Sequence, residues 1–94
     1  MTQEARFEAL EREYSSLVAE YQGKRPALRP KVQSEVSVGL KLAREHISTA
    51  SKRRTASKQA IDLQNAGSQM SRCRVVMTEN KTVAELHNAQ AVSR

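Results

Sequence analysis

Lys41, Arg44, Ser48, Lys52, Thr55 and Gln59 recur at three- and four-residue intervals. That spacing gathers side chains onto one stripe of an α-helix. Cations interleaved with two hydroxyls and an amide suit contacts to phosphate and ribose. Arg53, Arg54 and Lys58 add positive charge beside the stripe, and Glu45 is the one acidic residue between positions 41 and 58. On an unbroken helix the track from Lys41 to Gln59 would be about 27 Å long, enough to follow a duplex backbone without reading bases. The same residues also fit an ordinary solvated helix face.

No aromatic residue lies in this stretch, since Phe7, Tyr14 and Tyr21 all precede it. Proteins that hold single strands stack bases on such rings, so a single-strand site of the RRM or OB kind is not expected. A helix does not fit the deep, narrow major groove of A-form RNA, but it can cross the minor groove and touch 2′-hydroxyls. Double-stranded nucleic acid is the partner these residues suit best.

Other chemistry finds little support. His46 and His87 are isolated and Cys73 has no second thiol, so no metal-ligand spacing exists and neither metal nor cofactor is expected. Arg72 and Arg74 flank Cys73 and would lower its pKa; a lone thiol equally suits a small apolar residue in a helix contact. No phosphate-cradling Gly loop, Ser/His/Asp set or carboxylate pair is present. An enzyme acting on a small-molecule substrate is therefore not expected. Lys-Arg-Arg-Thr-Ala-Ser at 52–57 also resembles a nuclear-import patch or a basophilic kinase site.

The elements that must position the stripe are helical. Gly and Pro number only five among 94 residues, too few for an all-β chain full of tight turns, and the abundant Ala, Gln, Glu, Lys and Arg tolerate helices well. Phe7, Leu10, Tyr14, Leu17 and Tyr21 are spaced 3, 4, 3, 4, a heptad seam that could seal a dimer or pack on the next helix of the same chain. Thr2 fits its N-cap, Glu4 its first turn, and Gly23 with Pro26 its end. Residues 23–30 form a connector, with Pro30 suited to the first position of helix 2.

Helix 2 then carries Val36, Leu40, Ala43, Ile47 and Ala50 on one face. After Ala50 this face stops, and a second one, Ala56, Ala60, Leu63, Gly67 and Met70, begins in another phase. Either helix 2 continues to about Asn65, or a turn at 51–55 divides it. The continuous helix is the reading taken, because neither Gly nor Pro occurs between Leu40 and Ala66. Ala66-Gly67-Ser68 reads as a stop, and Thr82 with Glu85 has capping-box spacing for a short last helix over 83–92.

The expected fold is thus all-α: a helical hairpin with a long second helix and a short C-terminal helix, divided into a domain over 1–70 and a tail over 71–94. A chain this short buries a small core, so a dimeric four-helix bundle is the expected assembly. The charge splits along the same lines, −3 over residues 1–22 and +9 over 23–94. A strongly basic balance favours polyanion partners. No apolar run is long enough for a membrane span and one Cys gives no internal disulfide, so the expected location is intracellular, most simply cytoplasmic.

Phe7-x2-Leu10-x3-Tyr14, the Pro26/Pro30 connector and the Lys41–Lys58 stripe together resemble the small silencing-suppressor proteins of nodaviruses over roughly residues 2–65. That resemblance implies an antiparallel dimeric four-helix bundle that binds double-stranded RNA without sequence preference and shields it from dicing. A second reading of the same helices is a protein–protein adaptor, such as the N-terminal three-helix domain of a trafficking or SNARE-type protein.

Overall fold

The computed structural model describes the backbone of residues 2–92 and the side chains of residues 2–80. It holds three α-helices, α1 (Gln3–Lys24), α2 (Pro30–Lys52) and α3 (Ala56–Val92), with a 3-10 turn at Arg25–Ala27. Among the described residues there is no strand, and no helix is long and apolar enough to cross a membrane.

Thr2 caps α1 as its sequence position suggests, its Oγ1 accepting the Ala5 N–H at 3.2 Å. Gly23 does not stop the helix. It keeps a negative φ, and the chain tightens into the 3-10 turn around Pro26, which has no N–H to continue the ladder. Gln33 ties this connector down, donating its side-chain amide to the carbonyls of Arg25 (2.7 Å) and Leu28 (2.9 Å). Tyr21 Oη donates to the Gln33 carbonyl at 3.2 Å. Pro30 opens α2, where its missing N–H costs nothing.

The helix expected to run on to Asn65 is broken. α2 ends at Lys52, Arg53 is extended (φ −73°, ψ 143°), and α3 begins at Ala56. The cause lies in the apolar pattern. Ala50 is the last buried residue of α2, Leu63 is among the first of α3, and residues 51–58 are all exposed. Folding back buries both stripes against each other, which a straight helix cannot do. Hydroxyl residues assist, since such side chains compete for helical backbone groups and favour caps. Ser51 Oγ donates to the Ser48 carbonyl at 2.7 Å, and Thr55 accepts the Lys58 N–H on Oγ1 at 3.4 Å.

The third helix corrects the expected tail as well. α2 spans 23 residues and α3 spans 37, so the long element is the last one. α3 passes through residues 66–68, 70 and 82 without a break. Its buried seam is Leu63, Ala66, Met70, Cys73 and Met77, ending on Asn80, a 3-4 alternation that uses Ala66 where Gly67 was expected. Gly67 turns towards Leu10 of α1 instead. Packing on two sides carries the helix through a glycine that alone would cost about 1 kcal/mol. Thr82 and Glu85 lie outside the described side chains.

The helices run up, down and up. Arg53 meets Asp62, Cys73 meets Val36, and Asn80 meets Arg29, so α2 and α3 are antiparallel. Gln3 reaches Ala56 and Glu13 reaches Arg74, so α1 is parallel to α3. Leu17, Leu28, Val36, Leu40, Ala43, Met70, Cys73 and Met77 form one core, with Leu10, Tyr14 and Tyr21 packed against it. Ile47 is buried nearer the α2–α3 turn, and Phe7 is half-buried. The α1 seam therefore closes on its own chain.

Candidate nucleic-acid interface

The turn divides the expected stripe. Lys41, Arg44, Ser48 and Lys52 share the exposed side of α2, a track about 17 Å long. Thr55 belongs to the turn, and Lys58 and Gln59 to α3. The cations of 52–58 thus collect at a corner of the bundle instead of extending a rod.

Besides Thr55, whose Oγ1 accepts the Lys58 N–H, three of the expected contact residues have work inside the chain. Arg53 Nε donates to Asp62 Oδ2 at 2.7 Å, with the carboxylate nearly buried and the arginine side chain 43% exposed. Gln59 is half-buried and donates its amide to the Ala50 carbonyl at 3.1 Å, closing the open end of α2. Arg44 lies over the Tyr14 ring, 5.9 Å from its centroid, a cation–π contact that joins α2 to α1. Lys41, Lys52, Arg54 and Lys58 are exposed and aim their charge at solvent. Ser48 and Thr55 are exposed beside them.

Tyr14 and Tyr21 pack against the core, Tyr14 with Arg44 over its ring. Sequence reasoning missed Asp62 and Asn80, the two buried polar side chains among the described residues. Asp62 anchors Arg53, and Asn80 Oδ1 accepts the Arg29 N–H at 3.3 Å. Once a turn at 53–55 is allowed, an Asp nine residues after Arg53 is the signal for that pair. Sequence reasoning treated residues 23–30 purely as a connector and Lys31 as the start of helix 2. Arg25, Arg29 and Lys31 are exposed there and form a second cationic end, opposite the corner along α2.

Cys73 is buried, donating weakly to the Val36 carbonyl at 3.8 Å. Burial pushes its pKa up, outweighing the lowering effect of Arg72, so it is the apolar contact residue and not an activated thiol. Arg74, the other expected activator, pairs with Glu13 at 2.6 Å.

On the side of the α2–α3 pair lined by Val38, Leu42 and Val76 lies an open groove of about 380 Å³, with Gly39 and Cys73 in its lining and Glu35 and Arg72 on opposite helices. Val38 and Val75 are each more than half exposed. No protein-family model, curated protein or solved structure matches this chain.

Proposed function

We propose that this chain is a non-enzymatic intracellular protein that binds double-stranded RNA through its phosphate backbone. The supporting observation is the exposed set Lys41, Lys52, Arg54 and Lys58, spread over the α2 face and the α2–α3 corner with hydroxyls between. Lysine and arginine in such a set neutralise phosphates without distinguishing bases. In this proposal the exposed hydroxyls of Ser48 and Thr55 contact sugars. Arg44 and Arg53 contribute charge while holding Tyr14 and Asp62, and Gln59 serves the corner itself. Shielding duplexes from silencing enzymes is the role that the nodavirus-type resemblance adds.

A second copy docks, in this proposal, on the α2–α3 groove, because the α1 seam is closed within the chain. A two-fold axis along the groove would set Glu35 of each copy opposite Arg72 of the other. The face is roughly 34 Å by 20 Å, or about 1,400 Å² for the pair, within the standard range of specific interfaces.

Fluorescence anisotropy with a short RNA duplex, against single-stranded RNA and duplex DNA, tests the reading. About four phosphate contacts per chain, or about eight for the paired copies, predict a log–log salt slope near −7. A flat salt dependence, or a preference for single strands, would overturn it. Three helices in a bundle also suit the adaptor reading, with the groove as its docking face. Absence of any duplex binding at moderate salt would favour that reading.

A further inference from the structure

We propose that Thr55 is a phosphorylation site for a basophilic protein kinase, and that phosphate there switches off the basic corner. Kinases of this kind hold an extended, accessible substrate and read Arg and Lys on the N-terminal side of the acceptor through carboxylates. In this chain Lys52, Arg53 and Arg54 directly precede Thr55. Lys52 closes α2 and the other three residues separate the two helices. Every residue from Ser51 to Lys58 is exposed, and Arg53 is already extended. The Thr55 hydroxyl is held by a long contact, 3.4 Å from the Lys58 N–H. Ser57 has the same cations further away and lies inside α3, where its backbone is committed to the helix.

In the transfer, Thr55 Oγ1 bonds to the γ-phosphorus of ATP, the bond from that phosphorus to the β–γ bridging oxygen breaks, and ADP leaves. The hydroxyl proton passes to the kinase's catalytic carboxylate. The product carries about −1.5 to −2 charges amid Lys52, Arg54 and Lys58, lowering the corner from about +3 to about +1. The phosphate oxygens also replace a weak neutral acceptor at the Lys58 N–H with a charged one. Modification does not depend on the function proposed above; its effect on RNA does.

The full-length chain is incubated with ATP and the catalytic subunit of cyclic-AMP-dependent protein kinase, and the phosphate is located by mass spectrometry. The expected result is about one phosphate per chain on Thr55, kept in Ser57→Ala and lost in Thr55→Ala, with circular dichroism showing both variants helical. Should Thr55→Ala unfold, the position of the phosphate in the wild-type chain decides. Phosphate on Ser57 alone overturns the proposal. So does a heat-denatured chain that accepts phosphate while the folded chain does not. The phosphorylated chain should bind an RNA duplex at 100 mM salt at least about tenfold more weakly, since two or so phosphate contacts are cancelled. Stoichiometric phosphate on Thr55 with unchanged duplex binding overturns the switch. If the unmodified chain binds no duplex, the functional reading fails and the switch falls with it, while the phosphate on Thr55 stands by mass.

Discussion

Arg53 and Arg54 are neighbours of identical chemistry with different employment. One guanidinium is bound to a nearly buried carboxylate and the other faces water. Replacing Asp62 by Asn should lower stability by about 1 kcal/mol, a figure kept small because the arginine is partly exposed. It should leave duplex affinity within about twofold. Arg54→Ala should do the reverse, weakening every duplex sequence several-fold with no change in thermal midpoint. Thermal melts and anisotropy on the two variants separate these roles. Cys73 gives a second expectation at this scale. Its folded pKa is raised by burial above the ordinary value of 9.0, so the folded state holds the thiol proton more tightly than the unfolded chain does. The resulting stability is present in full below about pH 9 and lost as pH rises from there through the folded pKa. Between pH 8 and pH 10.5 the wild-type melting temperature should therefore fall more steeply than that of Cys73→Ala.

Two glycines show how helix packing reverses a propensity argument. Both Gly39 and Gly67 lie inside helices, where alanine is ordinarily better by about 1 kcal/mol. At Gly67 a new Cβ would rest 3.8 Å from Leu10 Cδ2, an ordinary contact, so Gly67→Ala should stabilise by about 0.5–1 kcal/mol. At Gly39 the same atom would overlap Cys73 Sγ, so Gly39→Ala should destabilise by about 1–3 kcal/mol. The added change Cys73→Ala should recover part of that loss. Urea melts of the three variants check the signs. The sequence could be read as far as its periodicity reached. The α1 seam, the Thr2 cap and the Pro30 start follow from local rules, and the Val36–Ala50 face is buried as the spacing implied. The residues argue for a continuous helix where the α2–α3 turn lies, because no Gly or Pro marks it. Its determinant is the phase shift between Ala50 and Leu63, whose consequence appears only when the two faces meet. The seam of α3 was misphased for a related reason. Ala66 and Cys73 are small and carry little signal alone, yet they let two helices approach closely. The cationic residues were legible, but their gathering at a corner was not, because it depends on that turn.

Across the whole molecule, the body measures 60 × 24 × 19 Å. α3 is about 55 Å long and α2 about 34 Å, and Asn80 already sits beside Arg29 at the start of α2. Positive charge marks both ends of α2, at Arg25–Lys31 and at Lys52–Lys58, while Glu8 and Glu11 are exposed on α1 between them. A duplex approaching this surface should meet two attractive ends with a repulsive flank between them. Assembly has its own test at this scale. Val38→Asp should give a monomer by light scattering with unchanged helicity, since Val38 is 58% exposed. Leu17→Asp should unfold the chain, because Leu17 is fully buried.

Only Arg53, Arg54 and Thr55 separate α2 from α3, and this shortness bears on how the chain reaches its native state. Closing a three-residue loop costs little entropy, so the pairing of α2 with α3 begins between residues close in sequence. α1 meets α2 locally, as in Tyr21 with Gln33, but meets α3 across more than fifty residues, as in Gln3 with Ala56, so its contacts with α3 should form after the hairpin. The route is one of low contact order followed by a single distant closure. Stopped-flow kinetics should find that Leu17→Ala, on the late-arriving helix, mainly accelerates unfolding. Leu63→Ala, beside the turn, should mainly slow folding. The segment richest in like charge is thus also the place where folding starts, and salt that screens its repulsion should quicken the first step.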